Sequence, residues 1–211
     1  MQVADKKKCE NTNVKYMLRE DFFNINHKKE NPVQGDLLVA EPFLHGKYFG
    51  RSVILLTEVN DKGAVGFVLN KEIQYVVGDF FPDLDKFDLP IFLGGPMNKD
   101  KLFILHTLGN LIPQSVHVKD NLYWGGDFET LTELIKQKQV KPHQVRFFVG
   151  YSGWTSGQLD VELEENSWVV SRLSSGEIMN TMNPGLWEKV MRSLGGKYKV
   201  WANFPENPNM N

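Results

Sequence analysis

The chain has 211 residues and a mass of 24.2 kDa, with a formal net charge of −2 and a pI near 6.2. Hydrophobic residues make up 41% and charged residues 24%, which are the proportions of a globular protein and exclude a disordered or fibrous chain. Because the overall charge is slightly negative, the composition argues against direct binding to nucleic acid or to an anionic membrane.

Cysteine content and hydropathy predict the compartment. The only cysteine is Cys9, so an intrachain disulfide is excluded and a reducing compartment, the cytoplasm, is expected. No apolar run approaches the ~20 residues that a membrane-spanning helix needs, and no apolar signal segment is found near the start. The sequence therefore predicts a cytoplasmic protein without a membrane segment.

The first part of the chain, residues 1–31, is predicted to be a polar leader with one short amphipathic helix. Apolar residues recur there at helical spacing, at Val14, Met17, Leu18, Phe22 and Ile25. We favour packing of this apolar face on the body of the protein over docking to a separate partner. Residues 32–200 are predicted to form a single domain, and residues 201–211 a flexible tail.

The first strands of the domain are predicted from short apolar runs bounded by turn residues. Leu37–Ala40 forms one strand and stops before Pro42. Residues 52–59 and 64–69 form a hairpin, because the Asn-Asp-Lys-Gly sequence between them favours a tight turn. The following stretch, residues 74–87, is expected to be irregular or briefly helical.

Two further strands and a second hairpin follow. Pro90–Leu93 and residues 102–105 are predicted strands, with a turn across residues 98–101. Residues 115–118 and 122–124 are predicted to pair as the second hairpin. Strands that come mostly in hairpins indicate a largely antiparallel sheet rather than a regular βαβ alternation.

Helices are predicted late in the chain. Asp127 is a suitable N-cap for a helix that places Leu131, Leu134 and Ile135 on one face. A final helix is predicted to begin at Asn183 and Pro184 and to end at Gly195. Hairpins followed by helices predict a mixed α+β fold.

The stretch 146–162 has the densest set of residues that constrain the backbone. Residues 147–149 are predicted to form a buried strand, and Gly150 and Gly153 to need positive φ or a close backbone approach. A helix is expected to start over residues 155–158, where Thr155 and Gln158 have the spacing of a capping box. The sequence thus predicts a strand, a tight turn and a helix N-terminus.

Ser152 lies in this stretch and is weighed as a nucleophile. A G-x-S-x-G elbow has glycine where this chain has Trp154, and no histidine follows His143 to act as the base. A structural glycine turn is therefore preferred. The helix start could also receive an anion, but the acidic residues that follow it, among them Asp160 and Glu162, favour a solvated acidic face.

For the other motifs too, a structural role is preferred over a catalytic or binding role. Gly94-Gly95-Pro96 is not followed by the Lys-Ser/Thr pair of a P-loop, so a turn is preferred over a phosphate cradle. The five histidines lack metal-ligand spacing, and neither a metal nor a cofactor is expected. His106, which follows an apolar strand, is the best single titratable candidate, although a hydrogen-bonded structural histidine is the more common outcome.

Several motifs together resemble a known family. They are Gly35-Asp36-Leu37-Leu38-Val39-Ala40-Glu41-Pro42, Phe49-Gly50-Arg51-Ser52, Gly63-Ala64-Val65-Gly66-Phe67-Val68-Leu69-Asn70, Gly94-Gly95-Pro96, Leu105-His106, Gly150-Tyr151-Ser152-Gly153-Trp154 and Gly157-Gln158-Leu159-Asp160. In this order the motifs resemble the bacterial AlgH/YqgE family over roughly residues 35–170.

The resemblance implies a fold but no reaction. It implies an α+β fold with a bent, mostly antiparallel, partly barrel-like sheet flanked by helices. The family is of unknown function, and one branch is labelled a transcriptional regulator on genetic grounds. Members commonly have alanine at the position of Ser152, and many have histidine at that of Glu58 and proline at that of Lys71.

Three functional hypotheses follow. The first is a cytoplasmic binding or regulatory protein whose groove takes an unknown small molecule or protein partner. The candidate ligand-binding residues are Arg51, Asn70, His106, Arg146, Trp154 and Gln158, within a structural frame of Gly94, Gly95, Pro96, Gly150, Gly153 and Gly157. The alternative is an enzyme that acts on a small anionic or phosphorylated substrate, with His106 as acid or base. Sequence-specific DNA binding is the weakest of the three.

Overall fold

The computed structural model describes residues 31–44, 46–84, 86–180 and 185–204. The predicted leader helix, the predicted helix start at Asn183 and Pro184, and residues 205–211 of the predicted tail lie outside these ranges. Trp201 lies inside them and is buried, so the last helix continues past the predicted domain boundary at residue 200.

Within the described ranges, ten strands form one sheet that does not close on itself. The strands are β1 (Leu37–Ala40), β2 (Val53–Asn60), β3 (Gly63–Val68), β4 (Glu72–Val76), β5 (Pro90–Leu93), β6 (Met97–His106), β7 (Ser115–Lys119), β8 (Leu122–Gly125), β9 (Val145–Thr155) and β10 (Trp168–Ser171). The main path of the sheet runs β10-β1-β2-β3-β9-β6-β8-β7, and β5 joins β9 to β4 beside this path. The β5–β9 pair is parallel and the other pairs are antiparallel.

Helices cover both faces of this sheet. They are α1 (Phe128–Lys136), α2 (Gln158–Glu164), α3 (Ser175–Met179), α4 (Leu186–Leu194) and α5 (Gly196–Trp201). Asp127 caps α1 as predicted, because its carboxylate accepts from the Thr130 amide at 2.8 Å. None of the helices in the described ranges has both the length and the apolarity required to cross a bilayer. The predicted α+β class with a mostly antiparallel sheet is confirmed.

Alternation along β9 divides the core between the two faces. Phe148 belongs to a cluster with Phe67, Phe92 and Trp187, against which the C-terminal helices pack. Phe147, one residue earlier, belongs to a second cluster that includes residues of α1. Successive side chains of a strand point to opposite faces, so β9 separates two cores. A third cluster lies beneath α2.

Two predictions about local structure are wrong. The central strand does not end at Val149, because β9 continues through Gly153 to Thr155 and α2 begins only at Gln158. The predicted turn at 98–101 is instead an irregular part of β6, where four residues of β6 face one of β9, Gly150, between the Met97–Tyr151 and Leu102–Val149 pairs. A bulge of this kind interrupts the pairing without ending the strand.

The backbones of β9 and of the segment after β5 come into direct contact at three glycines. A Cβ on Gly94 would lie 2.3 Å from the Gly150 oxygen, and one on Gly95 would lie 2.3 Å from the Tyr151 carbonyl. Gly150 has φ +71°, and a Cβ on this residue would lie 2.6 Å from the Gly95 oxygen. We call these three residues the glycine crossing. Gly153 differs, because its Cβ would meet only the Tyr151 ring, at 3.2 Å.

Replacing a glycine of the crossing tests its role in stability. Gly150→Ala adds a methyl group against the Gly95 carbonyl at a left-handed position, so we expect the free energy of unfolding in urea to fall by at least about 2 kcal/mol. Gly176→Ala is the matched control, because its methyl group would meet nothing within 4 Å in helix α3. Equal effects of the two substitutions would contradict the proposed contact.

Candidate functional site

Three of the predicted ligand-binding residues meet where β2 and β3 approach the C-terminal helices. The Asn70 side chain accepts from the Val53 amide at 2.9 Å and donates to the Arg51 carbonyl at 2.8 Å. Arg146 donates to the carbonyl of Leu69 at 2.6 Å. Arg51, Asn70 and Arg146 are therefore connected through the backbone around residues 69–70.

Arg146 is almost fully buried in the core. Besides Leu69, its guanidinium donates to the Ile178 carbonyl at 2.9 Å and lies 4.3 Å from the centre of the Phe92 ring. Burial lowers the pKa of Arg146 to about 9, so the guanidinium remains charged at neutral pH. Backbone carbonyls and aromatic faces stabilise this charge, which connects β9 to α3.

Arg51 contacts the last helices rather than an open groove. Its guanidinium forms a salt bridge with Glu188 at 3.3 Å, donates to the Phe204 carbonyl and lies over the Trp187 ring at 4.7 Å. Its backbone has φ +52°, an uncommon value for a residue with a side chain. The Asn70 side chain, which bonds to the Arg51 carbonyl and to the Val53 amide, holds that conformation.

His106 is fully buried and neutral. Ser115 Oγ donates to the Ile112 carbonyl at 2.8 Å, so it accepts from His106 Nε2 at 2.9 Å. The Leu108 amide donates to Nδ1 at 3.3 Å. Burial lowers the pKa of His106 to about 4, and both ring nitrogens are bonded within the protein. This is the structural histidine that the sequence analysis weighed against a catalytic one.

The sheet separates His106 from Arg146. His106 pairs with Val145 across β6 and β9, whereas the neighbouring Leu105 pairs with Arg146. Val145 belongs to the core beneath α1 and Leu105 to the core beneath the C-terminal helices. The two side chains therefore point to opposite faces, and the structure does not bring them to one substrate.

Trp154 and Gln158 lie in a third place, around the carboxylate of Glu162. Oε2 of Glu162 accepts from the indole nitrogens of Trp154 at 2.8 Å and Trp168 at 2.7 Å, and Oε1 accepts from Gln158 at 3.0 Å. Gln158 also accepts from the Thr155 amide, which is half of the predicted capping box. The interpretation of Glu162 as part of a solvated acidic face is wrong, because this carboxylate joins α2 to β9 and β10.

Ser152, the serine that was weighed as a nucleophile, is buried and hydrogen-bonded to the backbone. Ser152 is fully buried in the middle of β9, and its hydroxyl donates to the Gly94 carbonyl at 3.1 Å. Among the described residues, no group of three or more histidine, cysteine, aspartate or glutamate side chains is arranged to hold a metal ion.

The six candidate ligand-binding residues occupy three separate places in the fold. A binding role for each of them remains a prediction.

Two lysines outside the predicted set hold the loop before β2 against the glycine crossing. Lys71 Nζ donates to the Gly50 carbonyl at 2.7 Å, and Lys99 Nζ donates to the Tyr48 hydroxyl at 2.9 Å. The Lys99 side chain also passes 3.3 Å from the position of a Gly150 Cβ. We call Lys47, Tyr48, Gly50, Lys71 and Lys99 the basic strap.

The basic strap carries positive charge that no salt bridge within the described ranges neutralises. In the described part of the chain, no carboxylate forms a salt bridge with Lys71 or Lys99. The hydrogen bond and the positive charge of Lys99, together with the charge of Lys47, lower the pKa of Tyr48. Sequence reasoning missed these residues, although Lys71 follows the Asn70 motif and Lys99 follows Gly94-Gly95-Pro96 by three positions.

The fold and its polar contacts define an α+β protein in which the conspicuous motif residues stabilise the sheet. A family model described as AlgH-like matches residues 37–199, and the chain belongs to this AlgH-like family. A UPF0301 protein of Parabacteroides distasonis is 42% identical over 194 residues, which cover 91% of this chain and 98% of that protein. A UPF0301 protein of Cytophaga hutchinsonii is 44% identical over 180 residues, covering 84% and 98%.

Two solved structures share the fold at low sequence identity. A Corynebacterium diphtheriae protein superposes with a TM-score of 0.69 at 21% identity, covering 87% of this chain and 97% of that one. The solution structure of the AlgH protein from Pseudomonas aeruginosa superposes with a TM-score of 0.64 at 23% identity, covering 84% and 98%. At these identities the likeness shows the fold alone.

The neutral state of His106 predicts a pH dependence of stability. Its pKa of about 4 in the folded protein lies below its usual value of 6.5, so the unfolded chain binds the proton first as the pH falls. We expect urea unfolding to show a loss of up to about 3 kcal/mol as the pH falls from 6.5 to 4, with no such loss from His106 above 6.5. His106→Gln should flatten this slope, and an unchanged slope would refute the assignment.

The Glu162 contacts predict a selective loss of stability. In Glu162→Gln the amide nitrogen either faces the Gln158 donor or displaces the two indole bonds, so we expect the free energy of unfolding to fall by about 1–3 kcal/mol. The near-ultraviolet circular dichroism of the two tryptophans should change as well. Glu165→Gln, at the exposed end of the same helix, should have little effect.

Proposed function

We propose that this AlgH-like chain is a non-enzymatic binding protein that takes a small phosphorylated ligand at the basic strap. The observation that carries the proposal is the pair of ammonium groups, on Lys71 and Lys99, that are hydrogen-bonded to neutral oxygens and to no carboxylate of the described residues. An anion would supply the missing negative charge.

Donor capacity supports this proposal. A lysine ammonium has three N–H donors, and the described contacts use one on Lys71 and one on Lys99. Each lysine therefore retains donors for the oxygens of a ligand. The lowered pKa of Tyr48 makes its phenol a stronger hydrogen-bond donor towards the same anion.

The scaffold beneath the basic strap favours a preformed site. The Lys71 carbonyl accepts from the Leu93 amide at 2.7 Å, immediately before the glycine crossing, and Lys99 stands on the bulge of β6. Lys99 therefore emerges from the sheet, and Lys71 from the short link between β3 and β4, rather than from a long loop. Arg51 takes no direct part in this proposal, because Glu188 and Phe204 already hold its guanidinium.

A binding role is favoured over the enzymatic alternative by the position of His106. That residue is neutral, fully hydrogen-bonded and buried on the face of β6 opposite to Arg146. A regulatory role in the cytoplasm would then act through occupancy of the basic strap. Since the resemblance implies proline in many members where this chain has Lys71, the ligand preference would be a property of this chain.

Calorimetric titration with inorganic pyrophosphate tests this function. We expect saturable binding that weakens about tenfold in Lys71→Gln and in Lys99→Gln, since each change removes a charge-assisted contact. Lys62→Gln is the matched control, because Lys62 lies in the exposed turn between β2 and β3. A short oligonucleotide serves as the second ligand.

Two results would overturn the proposal. One is the absence of pyrophosphate binding to the parent chain at low ionic strength, where charge attraction is strongest. The other is equal binding by the lysine variants and by Lys62→Gln. Binding of the oligonucleotide without binding of pyrophosphate would replace a small phosphorylated ligand by a nucleic acid.

A further inference from the structure

An apolar groove lies on the far side of the sheet from the C-terminal helices. Its floor is formed by Phe81, Pro82, Phe128 and Thr132, between the 3-10 turn Pro82–Leu84 and helix α1, and it encloses about 440 Å³. The Phe81 and Phe128 rings pack with their centres 4.7 Å apart. We call this the aromatic groove.

Apolar surface continues beside the aromatic groove. Phe80, the residue before Phe81, is 53% exposed and contacts Tyr75, which is 55% exposed, with ring centres 5.5 Å apart. Two adjacent, half-exposed rings next to an apolar floor form the kind of patch that marks an interaction surface. None of the predicted ligand-binding residues lines this groove.

The rim of the aromatic groove is acidic. Lys136 bonds to Asp83 at 3.0 Å and to Glu133 at 3.3 Å, and these contacts raise its pKa. Glu129 adds a further carboxylate to the rim, which therefore carries three acidic groups and one ammonium group. The surface thus suits an apolar segment that carries basic side chains along its edge.

We propose that the aromatic groove is the docking site for residues 14–25 of this same chain, bound as an amphipathic helix. These residues lie outside the described ranges, and their sequence has the required chemistry. Val14, Leu18 and Phe22 repeat at intervals of four, which places them on one helical face. Lys15 and Arg19 follow the first two, where they would meet the acidic rim.

The point at which the leader joins the domain is compatible with this docking. Gln34 donates to the carbonyls of His117 at 2.8 Å and Val118 at 3.1 Å, which fixes the chain beside β7. The other end of β7 adjoins the start of α1, because the Asp127 amide donates to the Pro113 carbonyl at 2.9 Å.

The distance to be spanned is short. The length of β7 separates the two points by about 13 Å. Residues 26–33 can span up to about 27 Å when extended. The leader can therefore reach the groove, and the short tether gives it an effective concentration in the millimolar range.

Zero-length carbodiimide coupling of the full chain tests the proposal. The reagent joins a lysine to a carboxylate that it contacts, so we expect an amide between Lys15 and Glu129 or Glu133. Coupling between Lys136 and Asp83, which are 3.0 Å apart, is the internal control in every variant. A mixture of chains labelled with nitrogen-14 and nitrogen-15 distinguishes contacts within one chain from contacts between two copies.

Two sets of variants sharpen the test. Leu18→Ser with Phe22→Ser alters the leader and Thr132→Lys alters the floor, and each should reduce the Lys15 coupling at least about fivefold. The leader variant should also speed amide exchange in α1. The control Asn24→Ser, which replaces one polar leader residue by another, should change neither the Lys15 coupling nor the amide exchange.

No Lys15 coupling in the parent, or coupling only between differently labelled copies, would overturn docking within one chain. Unchanged coupling and exchange in the variants would do the same.

Discussion

The structure depends on one close backbone contact, at the glycine crossing of Gly94, Gly95 and Gly150. At this point β9 exchanges its parallel pairing with β5 for its antiparallel pairing with β3, so the two parts of the sheet meet. A Cβ on any of the three glycines would lie within 2.6 Å of a backbone carbonyl oxygen, which is closer than van der Waals contact allows. Any side chain here would separate the two parts, and for this reason the motif glycines have a steric explanation that needs no ligand.

The buried polar residues follow from the same architecture. A single long strand through the centre of a sheet places alternate side chains in different cores, so Arg146 and Val145 face opposite sides. Arg146 joins elements that are distant in sequence, whereas Glu162 joins α2 to the strands on either side of it and His106 joins β6 to β7. Most of their donors and acceptors are bonded to protein groups, because an unsatisfied polar group in a core would cost several kcal/mol. Their chemistry is used for stability.

The sequence predicted the elements better than their connections. Hairpins, the Asp127 cap and the class of fold could be predicted because turn residues and apolar periodicity are local signals. The length of β9 could not, since glycine within a strand usually marks a break and only the partner strand shows that the backbone stays extended through Gly153. Glu162 was misjudged because its partners Trp154 and Trp168 are recruited from two strands. Lys71 and Lys99 adjoin two of the motifs, but the oxygen that each ammonium group contacts is brought to it by the tertiary fold and has no signal in the sequence.

Hydrogen-bond capacity distinguishes the motif residues in the core of this protein from the lysines that lie beside them. His106 has its ring nitrogens bonded within the fold, and the Ser152 hydroxyl donates a hydrogen bond to the Gly94 carbonyl, so neither side chain can bind a ligand without breaking a contact in the core. Lys71 and Lys99 each donate one hydrogen bond to a neutral oxygen, so each ammonium group keeps its positive charge and has N–H donors that the described contacts do not use. The lysines that retain hydrogen-bond donors therefore lie beside the motifs, and the motif residues hold the backbone around these lysines in position.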